Sequence, residues 1–146
     1  MIIDQNLSKE DFPALIEVWE AAARATHDFL APGEIERLKP LILENYLPLM
    51  QLACVRTDTG GIAGFLGRAA DKVEMLFVHP NSMGQGIGKA LMLFAIQQWK
   101  VDKVDVNEEN NGAQLFYSKL GFQSVGRAEL DGEGNPHPVL FLKLMD

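Results

Sequence analysis

Apolar residues fall at helical spacing early in the chain. Phe12, Leu15, Ile16 and Trp19 recur every three to four positions, with Ala22 and Ala23 following, and this period predicts an amphipathic helix. Ser8, with Asp11 three residues on, forms a capping-box pattern at its start, Asp standing in for Glu or Gln. The helix should end near THDFLAPGE, where Pro32-Gly33 breaks the pattern. Ile35, Leu38, Leu41 and Ile42 predict a second helix that Pro40 kinks or divides. Met1 to Asn6 reads as a short first strand.

From Gln51 the period changes. QLACV, GIAGFLG and VEMLFV are short and strand-like, and TDTGG supplies a hairpin turn between the first two. Leu76 to Phe94, LFVHPNSMGQGIGKALMLF, passes from a strand through Gly84, Gly86 and Gly88 into a helix expected from about Gly88 to Trp99. KVDVN is another strand, and NNGAQLFYSKLG a helix closed by Gly121. FQSVGRAEL and PVLFLKL are two final strands around DGEGNPH. There is no repeat, low-complexity stretch or linker. Three consecutive strands, followed by helices inserted between later strands, make an α+β pattern. A length of 146 residues predicts one domain, 1–146.

A chain of this size buries roughly 70% of the surface its unfolded form exposes, so it needs no disulfide or metal to fold. The formal net charge of −7 argues against nucleic acid as a partner and suits a cationic substrate. One cysteine, Cys54, rules out an internal disulfide and points to a reducing cytoplasm. Lying in an apolar run, it is expected to be buried and inert. The N-terminus lacks a basic start followed by an apolar run, so neither a signal peptide nor a membrane partner is expected.

The glycine turn between strand and helix can aim backbone N–H groups at an anion. Two familiar phosphate motifs fail. A Walker loop aligned on Gly88-Lys89 would need Gly at Met83 and Ser or Thr at Ala90. A dinucleotide fingerprint begun at Gly84 would need Gly at Lys89. The actual spacing is G-x-G-x-G.

The flanks say more. Leu76-Phe77-Val78-His79-Pro80, followed by Gly84-Gln85-Gly86-Ile87-Gly88-Lys89-Ala90-Leu91, resembles the acetyl-CoA motif of the GNAT N-acetyltransferases. Asn107, Asn110, Ala113 and Phe116-Tyr117-Ser118-Lys119-Leu120-Gly121-Phe122 resemble that family's second signature. THDFL and GNPHPVLFL further resemble a group of small bacterial members. The resemblance implies a mixed, mostly antiparallel sheet flanked by about four helices, with two central strands splayed to admit the pantetheine arm beside Leu76, Phe77 and Val78. It implies acetyl-CoA as the donor, no metal, and direct transfer to the amine of a small molecule or peptide, by a monomer or homodimer. Met83 departs from the family, which usually has Arg or Gln there; the backbone amides of Gln85 to Lys89 would still bind phosphate.

Each candidate has a structural alternative. Tyr117 would protonate the departing thiolate, or it is an ordinary packed aromatic. Asn110 lies seven residues earlier, on the same helical face, and is a cofactor contact, a helix N-cap, or both. Asn107 bonds the cofactor or organises a turn. Glu74 is the candidate base, with an exposed strand residue as the alternative. His79 reads as a loop residue. His27, Asp28 and Phe29 are acceptor-site candidates on the resemblance, whereas a lone His at a helix end usually complements the dipole. Trp19 reads as core. Two rival functions remain at this point: a GNAT-fold acyl-CoA-binding module without turnover, and a phosphate- or nucleotide-binding protein of another class.

Overall fold

The computed structural model describes residues 1–26, 33–132 and 134–145. Four α-helices, α1 (Phe12–Thr26), α2 (Glu34–Leu41), α3 (Ile87–Gln98) and α4 (Asn111–Lys119), accompany a six-stranded sheet. Its strands are β1 (Gln51–Arg56), β2 (Ile62–Ala69), β3 (Lys72–Val78), β4 (Lys103–Asn107), β5 (Phe122–Ala128) and β6 (Val139–Leu144), in the order β1-β2-β3-β4-β6-β5. Every pairing is antiparallel except β3 with β4, the pair joined by the crossover through α3. The mixed α+β sheet follows the expected order of elements.

β1 shows why an unbroken apolar run forms a strand here. Leu52 and Cys54 enter a core under α1 and α2, while Ala53 and Val55 enter a second core under α3 and α4. Both faces are buried, so both sets of alternating positions must be apolar. Ile62 and Phe65 join the first core, and Ala63 and Leu66 the second. Trp19 lies in the first, as expected of a core residue.

Two local readings need correction. Met1 to Asn6 is not a strand: only Asp4 pairs, in a single bridge to Cys54. The Asp4 carboxylate instead accepts from the Asn6 N–H at 2.8 Å, a local bond that competes with a ladder. The Ser8–Asp11 capping box is present, but it caps a 3-10 turn, Lys9–Asp11, that leads into α1. The expected division at Pro40 is present: α2 runs to Leu41, and the chain then widens into a π turn (Ile42–Tyr46) and tightens into a 3-10 turn (Leu47–Leu49). Proline has no N–H for the helical ladder, so the regular α pattern lapses within a turn of it.

Candidate active site

β3 and β4 meet through only two residue pairs, Lys72 with Lys103 and Val73 with Val104. Beyond them β3 stays with β2 as far as Val78, and β4 stays with β6 as far as Asn107. Val73 stands opposite Arg68 and Met75 opposite Gly67, so Glu74 is an extra residue with no partner on β2. Such a bulge bends its strand. Here it falls where β3 leaves β4. The β3 backbone groups that face β4 past Val73 therefore lie along an open edge. The opening is a cleft of about 130 Å³, lined by Glu74, Leu76, Phe77, Val106, Asn107, Asn110, Ala113 and Tyr117 among others.

β3 leads from this cleft to the glycine turn. Gly84 and Gly86 both have φ of 80°, and a Cβ on either would meet nothing within 4 Å. Left-handed backbone beside open space is a cradle in which a ligand can approach the main chain. Gly86 caps α3, and the first helical bond in that turn is from the Ala90 N–H to the Gly86 carbonyl, at 3.0 Å. The N–H groups of Ile87, Gly88 and Lys89 precede it and are the helix's orphan donors. Gly88 differs from the other two. It is helical, and a Cβ there would touch Phe116 and Val78 at 3.6–3.7 Å. Gln85, Met83 and Lys89 are exposed around the cradle, and Ile87 is buried beneath it.

The second signature borders the same opening. Asn110 caps α4, its side chain accepting from the Ala113 N–H at 3.0 Å. The Asn107 side chain accepts from the Glu109 N–H at 2.9 Å, which organises the turn out of β4. Both asparagines thus have the structural role while also lining the cleft. Tyr117 is buried between Phe116 and Phe122, edge to face with each at 5.0 and 5.7 Å. No described residue hydrogen-bonds its hydroxyl. Burial alone pushes the phenol well above its ordinary pKa, so the group stays protonated.

The acetyltransferase (GNAT) domain family matches residues 51–124, from β1 into β5. The chain belongs to the GNAT acetyltransferases. The peptidyl-lysine N-acetyltransferase YjaB of Salmonella typhimurium is 37% identical over 97% of this chain and 98% of its own length. A solution structure of the apo-form of YjaB from Escherichia coli superposes with a TM-score of 0.87 at 31% identity, covering 99% of both chains. A Thermoplasma acidophilum PaiA N-acetyltransferase, solved in complex with coenzyme A, shares the fold at 24% identity and a TM-score of 0.72.

A GNAT enzyme uses acetyl-CoA, and this chain has room and donors for it: the open glycine cradle, the unbonded first-turn amides of α3, and the parted strands. Glu74 stands at the mouth of the cleft. Lys72 lies 2.8 Å from Asp105 on β4 and 3.6 Å from Glu74, so one ammonium ties two carboxylates at the point of parting. Asp105 raises the Lys72 pKa through that hydrogen bond. His79 is a turn residue, its Nδ1 accepting from the Asn81 N–H at 3.1 Å. Cys54 is fully buried, and burial pushes its thiol up to about 11, which leaves it unreactive. His27, Asp28 and Phe29 lie outside the described residues.

Two contributors went unread in the sequence. A Cβ on Gly64 would come within 2.9 Å of Ile87 and 3.1 Å of the Phe77 carbonyl, so only glycine lets the start of α3 sit this close to the sheet. An isolated glycine inside a strand pattern is a sequence signal for such an approach. Lys72 is the other; a lysine next to an apolar strand gave no sign of its cross-strand partner.

Proposed function

We propose that this chain acetylates a lysine side chain of a peptide or protein, taking the acetyl group from acetyl-CoA by direct attack of the amine. The parting of β3 and β4 at Glu74, with Tyr117 on the same opening, carries the proposal. The names of the YjaB relatives support a peptidyl-lysine acceptor.

Acetyl-CoA supplies an acetyl group activated as a thioester. The amides of Gln85 to Lys89 bind its phosphates, with Gly84 and Gly86 allowing the close approach. The open edge of β3 at Leu76, Phe77 and Val78 pairs with the pantetheine arm. Asn107, Asn110, Ala113 and Phe116 form the opposite wall. Glu74, directly or through water, takes a proton from the acceptor ammonium, which leaves a lone pair to attack. The new C–N bond forms as the C–S bond breaks, and the nitrogen gives its second proton to water to leave the neutral amide. Tyr117, held protonated by burial, gives its hydroxyl proton to the departing sulfur and is reset from solvent.

Tyr117→Phe tests this reading. The ring and its two edge-to-face contacts remain, so the variant should fold and bind acetyl-CoA. Loss of the proton donor should lower kcat by about 10²–10⁴-fold with little change in cofactor affinity. The loss should shrink with thioesters of more acidic thiols. A kcat within about twofold of wild type, in an assay limited by chemistry, refutes the acid role. Acetyl-CoA binding without turnover on any lysine peptide would make the chain an acyl-CoA-binding module instead.

A further inference from the structure

A second cavity, of about 450 Å³, adjoins the candidate active site from the α2 side. Leu38 and Ile42 wall it, Met50 and Met75 line it further in, and Tyr46 and Leu49 stand at its rim. Leu49 is 80% exposed and Tyr46 is 36% exposed, so two neighbouring apolar side chains at this rim are open to solvent. Its wall is built where the chain leaves α2 through a π turn and a 3-10 turn, opposite Glu74 and Met75 of β3.

A third cavity, of about 510 Å³, lies on the other side of Glu74, over β4 and β6. Its lining includes Asp105, Asn107 and Phe141. Glu74, Asp131 and Gly132 line both cavities, and Glu74 also lines the cleft between β3 and β4. One acidic side chain therefore joins an apolar hole, a groove of mixed charged and apolar side chains, and the reaction cleft. A small amine would leave most of this space empty. An extended peptide would span it: its lysine ammonium meets the carboxylates at Glu74, and a nearby side chain drops into the apolar hole.

We propose that the cavity of Leu38, Ile42, Tyr46, Leu49 and Met50 is a side-chain subsite that selects acceptor peptides with a large apolar residue within two positions of the lysine. The inference takes the lysine from the acetyltransferase reading, and the selection is a property of binding that can be measured without turnover. Burying a leucine in place of an alanine should tighten binding about tenfold. The rim is solvent-exposed, so Leu49→Glu and Tyr46→Ser should fold, with the melting temperature as the control.

The experiment measures anisotropy of fluorescein-labelled hexapeptides with a single lysine. Leu, Ala or Asp is placed in turn at each position within two residues of it, and coenzyme A is present throughout. The expected result is about tenfold tighter binding for Leu over Ala at one of those positions in the wild type. That preference should fall below about twofold in Leu49→Glu and in Tyr46→Ser. Equal affinity for the Leu and Ala peptides at every position overturns the proposal, as does a preference that survives both substitutions. If Leu49→Glu instead turns a dimer into a monomer in size-exclusion chromatography, the hole belongs to a second copy of the chain and the proposal is wrong. Thiol release from the same peptides is read separately. Its absence alongside an intact Leu preference would sink the acetyltransferase reading and leave the subsite standing.

Discussion

The two halves of the sheet are built differently. In β1–β3 both faces are covered: Leu52, Cys54, Ile62 and Phe65 enter one core, and Ala53, Val55, Ala63 and Leu66 enter the other. In β4–β6–β5 one face carries Val104, Val106, Phe122 and Leu142 into the second core. The opposite face carries Lys103, Asp105, Asn107 and Phe141, whose side chains stay partly or largely in solvent. The first half is made for stability and the second for access. Among the described residues, their only strand contact is the two pairs at Lys72 and Val73. A sheet joined by so short a ladder can open between its halves without losing either one, and the candidate reaction cleft lies at that opening.

Phe65 and Phe141 break the comparison most directly. Phe65 is fully buried, and Phe65→Ala should cost about 3–5 kcal/mol. Phe141 is 38% exposed on the open face, and Phe141→Ala should cost about 1 kcal/mol or less. Urea unfolding at unchanged m reads both values, and equal losses would show that the halves share one stability.

Lys72→Met probes the join. Its ammonium occupies the two carboxylates that a cationic acceptor would meet, so removing it should lower the acceptor KM about fivefold while changing stability by less than about 1 kcal/mol. An unchanged KM would mean that Glu74 and Asp105 do not receive the acceptor.

The smallest effect is expected at the far end of the covered half, where Arg56 meets Asp4 at 2.7 Å and Asp11 at 3.2 Å. The Arg56 hydrogen bond holds the Asp4 carboxyl below its ordinary value, and Asp11 is lowered first by the Ser8 N–H and then by Arg56. Both carboxyls have depressed folded-state pKa values. Their contribution is therefore complete above the unfolded value of about 3.8, and is lost as pH falls through the lower folded values. Arg56→Met should destabilise by less than about 1 kcal/mol at pH 7, with the difference from wild type shrinking as pH falls below 3.8. Thermal melts across that range check it, and a deficit that persists in acid would assign Arg56 a packing role.

Much of this asymmetry is written locally. QLACVR is apolar at successive positions because both faces are buried, whereas KVDVN alternates because only the valines are. The two GNAT signatures mark the walls of the cleft, since Gly84, Gly86, Asn110 and Tyr117 owe their places to a turn and to a helix face. The cleft itself was not legible as a length of ladder: where β3 stops pairing with β4 depends on two strands about thirty residues apart and on an unpaired Glu74 that leaves the apolar pattern intact. The wall beyond α2 was hidden for a similar reason. Pro40 signals a break in the helix, but not that the chain will continue as a π turn and then a 3-10 turn. Met1 to Asn6 has a strand-like start, and its local Asp4–Asn6 bond prevails over all but one bridge.

That bridge joins Asp4 to Cys54 through two backbone hydrogen bonds, of 2.8 and 2.9 Å, while the Cys54 thiol, the chain's only one, points off the strand into the core under α1 and α2. Cys54 can therefore serve as a clock. A thiol reagent reaches it only when the packing of α1 against the sheet opens. Labelling should follow the opening of that core in the wild type. Cutting the Arg56 tether should speed labelling more than it lowers the melting temperature. Saturating acetyl-CoA should leave the labelling rate nearly unchanged, because the cleft can close without pressing on the strand at the other edge of the sheet.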